Sequence, residues 1–236
     1  MTNSEKKTED TERILVQFQF FKVNESWEQL SDTEKNSAAQ EVLSLLERQN
    51  VGRDTHTFST MGLRADTDFM IWRTKKSPEE LEQSYSELKT SKFGQHITVT
   101  HSFFGLIRDS RYIRKPSDQE QAVSEPKKLK YFILYPFTKT TDWYLLSPET
   151  RQGMMNEHIR VGRNFPTIRQ ILVYSNGLGD QEFMVGYESE DLQEFQDLVI
   201  ALRSTEARRY TLVDTPIFTG VNRSLKEILA LLGTGE

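Results

Sequence analysis

Cysteine is absent from the 236-residue chain, which excludes disulfides, thiolate zinc sites and iron–sulfur clusters together. No apolar run approaches the roughly 20 residues that cross a bilayer, so no membrane span is expected. Basic charge is nowhere concentrated and the formal net charge is −5, which argues against a nucleic-acid partner. Also missing are a Gly-rich phosphate loop, a GxSxG nucleophile elbow and the HExxH or HxH spacings of histidine metal sites. The opening MTNSEKKTEDTER has no apolar core of the secretory kind and reads as a solvated tail, from which a cytoplasmic location is expected. What is present, 36% hydrophobic and 28% charged residues, suits a globular chain long enough for a real core.

The strongest positive signal is an internal repeat. NESWEQLSDTEKNSAAQEVLSLL, from Asn24, lines up with TTDWYLLSPETRQGMMNEHIRVG, from Thr140. Trp27 answers Trp143, Ser31 answers Ser147 and Glu41 answers Glu157. Downstream, Gly62 pairs with Gly177, Phe69-Met70 with Phe183-Met184, and Gly105 with Gly220, in one order and at a near-constant offset. Each half reads strand, helix, strand, strand, helix, strand, with Ser31 and Ser147 placed as helix N-caps and Pro148 at a first helical position. That is the ferredoxin-like order, so the expected fold is α+β, built from two tandem βαββαβ repeats. The expected division is a flexible tail at 1–11, a first repeat at 12–108, a polar linker at 109–128 and a second repeat at 129–236.

Duplication supplies a control within one chain. The first-repeat helix stripe is Ala38, Ala39, Val42, Leu43 and Leu46; its counterparts are Met154, Met155, His158, Ile159 and Gly162. An imidazole replaces a valine, and a glycine clears the volume of a leucine. His158 is thus either a core histidine with one hydrogen bond or a ligand for a metal or haem beside the helix. On the leading strand Tyr135 stands where the first repeat has Gln19, and Lys139 where it has Val23. Alternation points Tyr135 and Lys139 to one side. Gln170 lies in the strand after the helix. Polar groups on a half-buried surface need partners, so these four suggest a site; an ordinary strand aromatic and a solvated lysine are the alternative. His56, His96 and His101 read as surface or structural residues.

The run YPFTKTTDWYLLSPETRQGMMNEHIRVGR, followed by SNGLGDQEF and LVIALRSTEARRY, resembles the C-terminal half of the chlorite dismutase-like haem proteins. Within them, Tyr-Pro-x-x-Lys followed by Asp-Trp-Tyr is most similar to the bacterial coproheme decarboxylases. The resemblance is strong over about residues 130–220 and weaker before that. It implies a dimeric α+β barrel, commonly assembled as a homopentamer, with haem held by the second repeat. It implies His158 as the axial ligand of the haem iron and Glu206 as its acidic second partner. Tyr135 would carry a radical, Lys139 would pair with a propionate, Trp143 would pack near the macrocycle, and Gln170 would take the distal position. Chlorite-splitting members carry an arginine at the place of Gln170, seven residues before Gly177; the neighbouring Arg169 should face the other way. The implied substrate and redox cofactor is coproheme, with hydrogen peroxide as oxidant and haem b as product. A chlorite dismutase-like haem peroxidase and a non-catalytic haem-binding protein are the alternatives. The family's propionate arginine is not matched, since Gln121 falls there, and Arg111, Arg114 or Lys115 are the candidates to replace it. Thr215 or Pro216 stands where a serine is expected.

Overall fold

In the computed structural model, residues 14–49, 52, 54–108, 112, 125 and 127–235 are described. The first repeat runs β1 (Leu15–Val23), α1 (Glu25–Glu28), α2 (Asp32–Arg48), β2 (Thr55–Ser59), β3 (Phe69–Lys75), α3 (Pro78–Thr90) and β4 (Ile97–Leu106). The second runs β5 (Tyr131–Lys139), α4 (Thr141–Leu145), α5 (Pro148–Gly162), β6 (Arg169–Tyr174), β7 (Phe183–Ser189), α6 (Leu192–Arg203), β8 (Thr211–Val213) and β9 (Phe218–Asn222), before a last helix, α7 (Leu225–Leu231). Ser31 and Ser147 cap α2 and α5 as expected, accepting from the backbone N–H groups of Glu34 and Thr150, and Pro148 opens α5. Gly62 and Gly177 both take a positive φ in equivalent turns, where a side chain would be strained.

Strand order proves the duplication. The first repeat lies β4-β1-β3-β2 and the second β9-β5-β7-β6, the same arrangement twice. The edges join through short seams, β2–β9 and β4–β6, so eight antiparallel strands close into a barrel. Gly105 sits at the second seam, where a Cβ would collide with the carbonyl of Tyr174. Alternate side chains fill the interior: Phe18, Phe20, Phe58, Trp72, Phe132 and Phe218, with Phe20 and Phe218 stacked at 3.9 Å. A core this full of rings has no room for a ligand, so binding must occur outside the barrel, between sheet and helices. No helix among the described residues is long and apolar enough to cross a membrane.

Three details depart from the sequence reading. The closing strand of the second repeat is broken: β8 and β9 lie end to end along β5, separated by Asp214–Ile217. The stripe of α2 is completed by buried Leu45, while Leu43 is only half-buried. Helix α7 follows the second repeat in sequence but packs on the first, adding Leu225, Ile228 and Leu229 to its outer core, where the indole of Trp27 donates to the Leu232 carbonyl at 2.9 Å.

Candidate functional site

The two repeats fold alike but pack differently. Helix α2 buries Lys35, Ala38, Ala39, Val42, Leu45 and Leu46 against its half of the barrel. Helix α5, its counterpart, buries no residue at all. Among the described residues the first repeat's outer core holds fifteen buried residues and the second's four, Ile168, Val185, Tyr187 and Leu198. Met154, Met155 and Ile159 are left half-exposed, and a Cβ on Gly162 would meet nothing within 4 Å. An apolar helix face left half-exposed in this way is a surface on which a flat, largely apolar guest can pack.

His158 lies on that face. Its Nδ1 is enclosed by the protein and has no hydrogen-bond partner among the described residues. Burial, and then the charge of Lys139, push its pKa down to about 4, with Glu157 opposing. The ring is therefore neutral near pH 7, with a buried nitrogen in need of a partner. A structural histidine has its hydrogen bonds satisfied; this one has the chemistry of an axial ligand. The residues present thus fit a haem-type group. The expected bond from Glu206 is not formed: its carboxylate pairs with Arg209 Nε at 3.2 Å, and its backbone N–H donates to Glu157. Among the described residues no cluster of three carboxylates and histidines offers a site for a bare metal ion.

Lys139 reaches the same corner. Its Nζ lies 4.6 Å from the ring centre of Trp143 and 3.4 Å from both the Ala207 carbonyl and Thr211 Oγ1. Burial, with help from Arg208, lowers its pKa to about 8, while Glu182 opposes. Trp143 is buried on α4 against Tyr210. A desolvated ammonium with weak neutral acceptors is poised for a carboxylate. Tyr135 is on the same face of β5, two alternations away, in the small outer core of the second repeat.

Strand register separates Gln170 from Arg169. Gln170 pairs with Tyr187 and shares its helix-side face; Arg169 pairs with Glu188, which it also meets at 3.6 Å. Glu188 is fully buried and 3.4 Å from Lys128. Arg169 is thereby committed to the other side of the sheet, as alternation requires. Among the remaining histidines, His96 bonds Ser26, His101 pairs with Asp66, and His56 is buried against Trp72. Gln121, Arg111, Arg114 and Lys115 fall outside the described residues.

Several neighbours escaped the sequence reading. Tyr187 sits diagonally across from Tyr135, and Arg208 lies close enough to Lys139 to repel its charge. Asp214 holds Arg208 at 2.6 Å and Arg203 at 3.6 Å from the break between β8 and β9. Only strand register and chain closure bring these together; no local spacing announces them.

A family model described as chlorite dismutase matches residues 35–223. A coproheme decarboxylase from Mycolicibacterium smegmatis is 35% identical over 176 residues, covering 74% of this chain and 75% of that protein. Among solved structures, chlorite dismutase from Candidatus Nitrospira defluvii in complex with imidazole superposes with a TM-score of 0.83 at 24% identity, over 93% of this chain and 94% of that one. A variant of the same enzyme gives 0.84 at the same identity and the same coverage. At that identity the likeness is one of fold.

Proposed function

Because the chain belongs to the chlorite dismutase family, we propose that it is a coproheme decarboxylase of haem synthesis. The observation that carries the reading is the unfilled face of α5, with the unpartnered imidazole of His158 on it and Lys139 charged beside it. Similarity to the mycobacterial decarboxylase supports the choice of substrate.

In this reading His158 holds the iron of coproheme, and Met154, Met155, Ile159 and the gap at Gly162 take the porphyrin face. The bound iron porphyrin, with peroxide as oxidant, supplies the oxidising equivalents. Lys139 pairs with one propionate carboxylate and fixes its orientation; its lowered pKa lets it give or take a proton near pH 8. Tyr135, as its phenoxyl, takes a hydrogen atom from the β-carbon of that propionate. Loss of carbon dioxide and a second electron then leaves a vinyl group. Each round consumes one peroxide and releases one carbon dioxide and two waters, and two rounds give haem b. Trp143 supports Lys139, and Gln170 supplies an uncharged amide to the other side of the site.

Chlorite dismutation is disfavoured because no arginine occupies the position of Gln170 and Arg169 is bound to Glu188. The deciding experiment is incubation with coproheme and limiting peroxide, followed by mass spectrometry of the porphyrin. Two successive losses of carbon dioxide with two hydrogens are expected; bleaching alone would overturn the reading in favour of a weak peroxidase or a haem carrier. Tyr135→Phe is expected to bind coproheme and leave it intact. Assembly as a ring of five, and Glu206 as partner to His158 once the site is filled, belong to the same proposal, and light scattering checks the first.

A further inference from the structure

We propose that Tyr187 is a positioning residue for Tyr135: its hydroxyl donates to the Tyr135 phenol oxygen, aims that ring and stabilises the oxygen once its proton has left. The inference rests on the role given to Tyr135 above. Tyr135 pairs with Val185 and Ile133 with Tyr187 across β5 and β7, so the two tyrosines are diagonal neighbours on one face. That spacing lets long aromatic side chains touch. Their rings are 6.1 Å apart at 31°, and Tyr187 is 6% exposed, pinned from behind by Phe195 at 5.3 Å. A phenol hydroxyl this deep requires a partner, and Tyr135 is the neighbour on its face of the sheet; burial, and then Tyr135, push the Tyr187 pKa up. Burial raises the Tyr135 pKa and the Tyr187 hydroxyl acts against it, as a donor to the phenolate would.

The first repeat holds an independent trace of the same design. Gln19 pairs with Ile71 and Gln17 with Arg73, in the register of Tyr135 with Val185 and Ile133 with Tyr187. The residues in the places of Tyr135 and Tyr187 are thus Gln19 and Arg73, and these two bond, with Arg73 Nη1 donating to Gln19 Oε1 at 2.7 Å. The barrel puts a cross-strand polar pair at this spot twice. In the second repeat both partners are phenols, on the side where α5 buries no residue.

The test uses ligand-free protein carrying a fluorinated tyrosine at position 135, whose phenol is more acidic than that of tyrosine and titrates apart from the other tyrosines. Tyr187→Phe is expected to raise that ionisation by about 1 to 2 pH units, the worth of one hydrogen bond to a charged oxygen. Phe195→Leu loosens the packing and keeps the hydroxyl, so it is expected to leave the titration in place. In turnover, Tyr187→Phe is expected to lower kcat with KM unchanged. An unmoved titration in Tyr187→Phe, or equal shifts in both variants, would overturn the proposal. Because the titration needs no substrate, its result stands apart from whether the parent protein decarboxylates coproheme.

Discussion

Restoring a side chain at Gly162 separates packing from ligand binding, because Gly153 on the same helix provides a matched control. Neither glycine has any atom within 4 Å of an added Cβ. Gly153 is exposed in the middle of α5, so Gly153→Ala gains helix propensity alone, about 0.5 to 1 kcal/mol. Gly162 ends the stripe of Met155, His158 and Ile159, and its first-repeat counterpart is the buried Leu46. Gly162→Leu gains less propensity at the helix end but covers apolar surface now half-exposed, and partial burial brings its total to about 1 kcal/mol as well. The two variants therefore look alike in denaturant unfolding of ligand-free protein. They part company on coproheme. A leucine in space meant for a porphyrin must be displaced at about 1 to 3 kcal/mol, which weakens binding by roughly 10- to 100-fold, whereas Gly153→Ala binds as the parent does. An absorbance titration reads the difference. Parental affinity in Gly162→Leu would refute the view that the gap along α5 is the ligand's place.

Lys139 gives the pH dependence. Its folded pKa of about 8 lies below the 10.5 of the free side chain. The unfolded chain thus binds the extra proton between those values, and stability contributed by this group is present above pH 10.5 and lost as pH falls toward 8. Lys139→Met is expected to stabilise ligand-free protein at pH 7, by about 1 to 3 kcal/mol in urea unfolding; no gain would mean the ammonium is well solvated. With coproheme the sign reverses: affinity in the parent should fall above about pH 8 as Lys139 loses its charge, and Lys139→Met should be weak and flat across that range. Arg73 is fully buried, with Nε and Nη2 unpartnered. Arg73→Met therefore removes a costly charge but strands the oxygen of Gln19, so the double variant with Gln19→Leu should unfold later than either single one. Gly105→Ala should destabilise the barrel by more than 2 kcal/mol in the same assay, since its Cβ meets the Tyr174 backbone at the seam.

How much of this was legible depends on where the information lies. Helix starts at Ser31 and Ser147 and the turns at Gly62 and Gly177 are local chemistry, repeated twice, and a single sequence displays them. His158 and Gly162 stood out for a different reason: the first repeat shows what the same helix looks like when it packs. Partners fixed by register were hidden. Tyr187 and Arg73 occupy one place in the repeat, but nothing in their chemistry advertises equivalence until the strands are paired. Helix α7 was assigned by chain order to the second repeat, yet the vacancy it fills lies on the first, across the closed barrel. Glu206 followed from resemblance, and its carboxylate turns to Arg209 instead.

The comparison between halves also says why one repeat can work while the other only supports. Both put a polar pair at one place on the helix-side face of the barrel, Gln19 with Arg73 in the first repeat and Tyr135 with Tyr187 in the second. In the first repeat, where α2 buries six residues and α7 three, Gln19 and Arg73 are themselves buried, so that pair is sealed and inert. In the second repeat α5 buries no residue and only a small outer core forms among the described residues, so Tyr135, Lys139 and His158 lie on a thinly packed side. The surface left unburied forgoes stability at about 25 cal/mol per Å², which the first repeat's larger core offsets for the whole barrel. Ligand uptake then returns that energy to the half that gave it up, so the chain should gain most of its added stability on binding in α5 and α6, which hydrogen exchange with and without coproheme would localise. Protection spread evenly over both repeats would contradict this division.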